Sequence, residues 1–130
     1  MIEKLVEIGI LFDFYGKLLS TRQFAVVELF YIHDLSLSEI GEELDVTRQS
    51  VYDTLKRAEK KLYEYEENLE LVEDFKKNTL SIKSIIEISE ELLLNIEDNN
   101  EFKIENIASR IKSIKKLGKK VLENSREVGN

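Results

Sequence analysis

Between Leu35 and Lys61 the chain reads LSLSEIGEELDVTRQSVYDTLKRAEKK, with the start signals of two helices and room for only one tight turn between them. Ser36 is followed three residues later by Glu39, the spacing of a capping box in which hydroxyl and carboxylate each take up a free backbone N–H. Thr47 can cap a second helix in the same way. Leu44, Asp45 and Val46 lie between, so the chain has to reverse at Asp45, and Asp enters left-handed backbone more readily than most residues, though less comfortably than Gly. Leu37, Ile40, Leu44, Val46, Val51 and Leu55 set an apolar face of each helix against the other. Gly41 falls where the two would cross, and close backbone approach there explains accepting roughly 1 kcal/mol of lost helix propensity. Caps, turn, small residue and apolar register agree, which favours a helix-turn-helix over an ordinary helical hairpin.

The rest of the chain is expected to be helical too. Among 130 residues there is no Pro and only five Gly, and 42% are hydrophobic, enough for a helical core. An all-α fold follows, organised as a helix-turn-helix domain over residues 1–77 and a C-terminal helical extension over 78–130. With no Cys there is no disulfide or thiolate metal site, and the opening MIEKLVEIG lacks the apolar run of a signal peptide or membrane span, so a cytoplasmic location is expected.

Taken in order, residues 2–19 form a first helix with Leu5, Ile8, Phe12, Tyr15 and Leu19 on one stripe. Ile10, Leu11, Phe14 and Leu18 spill beyond it. A second helix starts at Ser20 or Thr21, turns Phe24, Val27, Phe30 and Tyr31 inward and stops near Asp34. His33, the single histidine, is read as a polar end group rather than a metal ligand. From Thr47 no breaker appears until about Asn78, which predicts one long helix with a heptad seam through Val51, Leu55, Ala58, Leu62, Tyr65, Leu69 and Val72. Ser81 to Asp98 forms another helix, DNNE around Asn99 and Asn100 a turn, and a last helix runs from about Glu101, so the final two are expected to fold as an antiparallel hairpin. The tail SREVGN is expected to fray. Five to six helices result. Excess apolar surface on the first helix and on the seam after Leu62 predicts a homodimer.

Net charge is −7, the wrong sign overall for a protein that grips phosphates, but its distribution is uneven. Residues 1–46 carry 3 basic and 9 acidic side chains, residues 47–61 carry 5 and 2, and residues 62–75 carry none and 6. RIKSIKKLGKK, from Arg110 to Lys120, adds 6 basic residues without an acid. In a helix-turn-helix on DNA the second helix enters the major groove and its early exposed positions read base edges. Here Thr47, Arg48, Gln49, Ser50 and Tyr52 occupy that start, with Lys56, Arg57 and Lys60 placed for phosphates; Arg48 suits guanine and Gln49 adenine. Asp53 opposes this, and Glu59 adds repulsion. Exposed pairing of Lys56 and Lys60 with Asp53 and Glu64 is the plainer reading of those lysines. No nucleophile with a base, phosphate loop or carboxylate pocket is legible, so neither an enzyme nor a cofactor is expected.

The segment from Leu11 to Leu69 resembles the YlxM family of small bacterial proteins, carried by LFDFYGKLLS, the RQ at Arg22 and Gln23, EIGEEL and above all TRQSVYDTLKRAEKKL. Members look like the fourth conserved region of RNA polymerase sigma factors, and their gene usually neighbours those of the signal recognition particle GTPases. The resemblance implies an accessory or regulatory role in that pathway, through the particle's RNA or its GTPase subunit. It makes Arg48, Gln49, Tyr52, Lys56 and Arg57 the matching surface positions. The alternative from a different class is a dimeric, sequence-specific DNA-binding regulator with two recognition helices about 34 Å apart.

Overall fold

The computed structural model describes residues 2–97 and 104–125, and among them every regular element is helical. α1 (Ile2–Tyr15) tightens into a 3₁₀ turn at Gly16–Leu18. α2 (Thr21–Val27) begins at a Ser20 capping box and widens into a π-helical turn over Glu28–Ile32. α3 (Leu37–Leu44) and α4 (Arg48–Leu69) follow, then α5 (Leu71–Glu97) and α6 (Ile104–Ser125). The chain divides into two compact units, residues 1–72 and 73–130.

In the first unit α4 is the central element, packing against α1, α2 and α3. Val51, Leu55, Ala58 and Leu62 line its inner side and meet Ile8, Leu11, Phe12 and Tyr15 of α1, Val26 and Val27 of α2 and Ile40 of α3 in one buried cluster. Val26 and Leu11 take core positions that the simple stripes assign elsewhere, whereas Leu5 stays half exposed. The first two helices are shorter than expected because each ends in a non-α turn. His33 is exposed at the end of the π turn, its N–H bonded to the Glu28 carbonyl at 3.1 Å, and Asp34 enters left-handed backbone to leave the helix.

The single long helix expected from Thr47 to about Asn78 is in fact two. α4 stops at Leu69, Glu70 turns left-handed at φ 54°, and α5 begins at Leu71 and runs straight through Asn78 to Glu97. The break is enforced from α1. The buried Tyr15 hydroxyl accepts the Leu71 N–H at 3.0 Å and donates to Glu66 Oε1 at 2.5 Å, and the same carboxylate accepts the Val72 N–H at 3.0 Å. Two of the N–H groups that a new helix leaves without partners are thereby satisfied, so a residue without turn preference can end one helix and start the next. The heptad seam consequently changes helix before Val72, and Leu69 ends half exposed.

In the second unit α5 and α6 run antiparallel. Asn78 Nδ2 donates to Ser125 Oγ at 3.4 Å near one end, and Arg110 donates to Glu91 toward the other. The turn expected around Asn99 and Asn100, and the tail after Ser125, lie outside the described residues. Lys112, Lys115, Lys116, Lys119 and Lys120 are all exposed and fall on one side of α6, because steps of three and four return to the same face.

Candidate nucleic-acid interface

The geometry of α3, the turn and α4 is built from the residues that announce it. Ser36 Oγ accepts the Glu39 N–H at 3.1 Å while Glu39 Oε1 accepts the Ser36 N–H at 2.9 Å, and the Ser36 hydrogen bonds hold the Glu39 carboxyl below its ordinary range. Asp45 closes α3 in the left-handed region at φ 56°, and the Val46 N–H returns to the Gly41 carbonyl at 2.9 Å. A Cβ on Gly41 would stand 2.8 Å from the Val46 carbonyl oxygen. The glycine is thus required by the turn folding back on α3. Thr47 then caps α4, its hydroxyl accepting the Ser50 N–H at 3.0 Å.

All eight residues expected at an interface, Thr47, Arg48, Gln49, Ser50, Tyr52, Lys56, Arg57 and Lys60, are exposed on α4 or its cap. They are not equally free. The Thr47 hydroxyl is engaged as a cap. Gln49 Nε2 donates to Asp53 Oδ1 at 3.0 Å one turn along, which occupies an amide that adenine recognition requires and at the same time screens the opposing carboxylate. Lys56 Nζ lies 3.4 Å from Glu59 and 5.5 Å from the centre of the Tyr52 ring, and the neighbouring Glu59 charge raises its pKa. Among the described residues Arg48, Arg57 and Lys60 form no ion pair. Gln49, Asp53, Lys56 and Lys60 make the outermost ridge of the helix, with Arg48 and Arg57 to either side.

Glu59 does not repel anything at this surface. It is 5% exposed, pointing inward, where Lys4 Nζ of α1 lies 3.2 Å and Lys56 Nζ 3.4 Å from Oε1, and the Tyr31 hydroxyl donates to Oε2. Burial, then this hydrogen bond, pushes the Tyr31 phenol well above its ordinary pKa. One carboxylate thereby ties α1, the π turn and α4 together, and its removal from the surface leaves Asp53 as the one exposed acid between Thr47 and Lys61. Sequence reading placed Glu59 outside. Its position four residues after Leu55 and three before Leu62, on the edge of the buried stripe, was the available signal.

Similarity to known proteins follows the same elements. The family model described as "Putative helix-turn-helix protein, YlxM / p13 like" matches residues 2–107, well past the Leu11–Leu69 segment that carries the motifs and through the whole of α5. A UPF0122 protein of Bacillus cereus (strain AH187) is 46% identical over 98 residues, covering 75% of this chain and 89% of the relative. UPF0122 proteins of Bacillus anthracis (strain A0248) and Bacillus thuringiensis subsp. konkukian (strain 97-27) are similar to the same extent, 46% over 98 residues. With its capped α3, left-handed turn and α4 in place, the chain belongs to the YlxM / p13-like family of helix-turn-helix proteins.

Proposed function

We propose that this chain is a non-enzymatic accessory protein of the signal recognition particle pathway that uses the exposed face of α4 to contact nucleic-acid phosphates, the particle's RNA being the first target. The observation that carries this reading is the inward turn of Glu59: with that carboxylate neutralised by Lys4 and Lys56, the exposed face from Arg48 to Lys61 presents Arg48, Arg57, Lys60 and Lys61 against Asp53 alone. Arginine and lysine without intramolecular partners are the groups that exchange counterions for phosphates. A dimeric DNA-binding regulator is the second reading, and the Gln49–Asp53 bond disfavours it because base readout has to break that contact first. Self-association through the exposed apolar helices belongs to either reading.

The test is a titration of the purified chain at two salt concentrations against signal recognition particle RNA and random duplex DNA of matched length. Tighter binding to the RNA, weakened by salt, is expected. Arg57→Glu and Lys60→Glu are the charge reversals to use, since Lys56→Glu would set a second carboxylate beside Glu59 and unsettle the core. Each is expected to lower affinity about tenfold. Preference for duplex, with base discrimination altered by Gln49→Ala, favours the regulator. Binding to neither removes nucleic-acid contact and turns the search to the particle's GTPase subunit.

A further inference from the structure

α6 sorts its basic residues into one that faces inward and five that face out. Arg110 is half-buried in line with Ile107, Ile114, Leu117 and Val121, and it donates to Glu91 of α5. Lys112, Lys115, Lys116, Lys119 and Lys120 are exposed, and at about 100° per residue they span an arc of roughly 140° on the side away from that stripe. Glu105 and Glu123 stand at the two ends of the arc, and no acidic residue lies between them. Among the described residues none of the five lysines forms an ion pair. Five unpaired cations thus stand within roughly 12 Å of helix, at 1.5 Å per residue. Lys112 and Lys116, with Ser109 and Ser113 beside them, line an open groove along it.

This density of charge selects the partner. Carboxylates of a protein would meet these lysines as exposed ion pairs, each worth little. A nucleic-acid duplex carries one charge per about 1.7 Å of its axis and releases condensed counterions where lysines replace them, so closely set cations gain most there. From Lys112 to Lys120 the only exposed residue besides the lysines is Ser113. The face therefore has no aromatic side chain to stack an unpaired base and no arginine, asparagine or glutamine to read a base edge. An anionic membrane is the other extended polyanion, but a helix lying on one turns its apolar face to the lipid. Here the apolar stripe is half-buried opposite the lysines, and the exposed Ile104, Ile111 and Leu122 stand at the margin of the lysine arc. Residues 73–130 carry 11 basic and 11 acidic side chains, so the second unit is free of the net negative charge that opposes phosphate contact elsewhere in the chain. The family match ends at residue 107, before the first of these lysines.

We infer that the outer face of α6, from Lys112 to Lys120, is a second phosphate-contact surface, which holds the backbone of a nucleic-acid duplex without reading its sequence. It is separate from the α4 face and stands whether or not α4 takes part. The test is the triple variant Lys112→Gln, Lys116→Gln and Lys119→Gln in the full chain, titrated over a series of salt concentrations against signal recognition particle RNA and random duplex DNA. Glutamine matches lysine in helix propensity, and far-UV circular dichroism checks that helix content is kept. Affinity for both probes is expected to fall by the same factor, about tenfold, and the log–log salt dependence to flatten by about 2–3. Unchanged affinity and slope in the triple variant, with binding still weakened by Arg57→Glu, overturns the α6 surface and leaves the α4 reading in place. Loss in the triple variant with none in Arg57→Glu upholds α6 and removes α4. Loss confined to one probe overturns a contact indifferent to sequence. Absence of binding to either nucleic acid overturns both surfaces, and co-sedimentation with phosphatidylserine vesicles in its place makes a lipid surface the partner.

Discussion

One buried carboxylate, Glu59, joins three elements of the first unit. Glu59 is held by Lys4 and Lys56, which reach in from the rim of the core, and by the Tyr31 hydroxyl, so its stability depends on all three partners at once. Glu59→Ala leaves the Tyr31 hydroxyl and two lysine heads without their acceptor and is expected to destabilise the fold by about 1–3 kcal/mol, read by urea denaturation. In the same variant the Tyr31 phenol is expected to titrate closer to its ordinary value, read by phenolate absorbance; an unchanged titration would disprove its coupling to Glu59. Gly41→Ala places a methyl 2.8 Å from a backbone oxygen that belongs to the turn, and an expected loss of about 1–3 kcal/mol follows because that oxygen cannot step aside without opening the turn. The exposure of Arg48, Gln49, Tyr52 and Arg57 was legible from helical period alone. That of Glu59 was not, since Lys4 and Tyr31 come from other helices.

At the level of elements, the junction between α4 and α5 is where local preference and tertiary structure disagree. ENLELVED contains nothing that stops a helix, yet the chain turns left-handed at Glu70. Glu70→Gly removes the Cβ strain of that conformation and is expected to raise stability by about 0.5–1 kcal/mol, whereas the same substitution in an uninterrupted helix would lower it by a similar amount. The sign of the change therefore distinguishes a true break from a continuous helix. Tyr15→Phe deletes the hydroxyl that joins Leu71 and Glu66, and hydrogen exchange at Leu71 and Val72 is expected to accelerate ahead of the α4 core. The helix-turn-helix itself shows the opposite case: each of its caps and its left-handed Asp45 sit where the residues call for them, because every determinant lies within five positions of its partner.

For the whole molecule, alkaline pH is the informative variable. Burial, reinforced by the hydrogen bond to Glu66, pushes the Tyr15 phenol to about 12, and Tyr31 is raised as well, so the folded chain holds protons that the unfolded chain releases from about pH 10. Their contribution is complete below pH 10 and is lost as pH rises through the folded values, on the order of 2–3 kcal/mol for the two-unit shift of Tyr15. Denaturation midpoints are expected to fall between pH 10 and 12, and less steeply in Tyr15→Phe. Across the chain, the sequence by itself determined the helical class, the caps and turn of the motif and the basic start of α4, because these depend on neighbours within a turn or two of helix. Tertiary structure alone decided where α4 ends and that Glu59 leaves the surface. Both outcomes are imposed by a hydrogen bond or ion pair from a distant helix, Tyr15 on Leu71 and Lys4 on Glu59, whose energy appears only after the helices have packed.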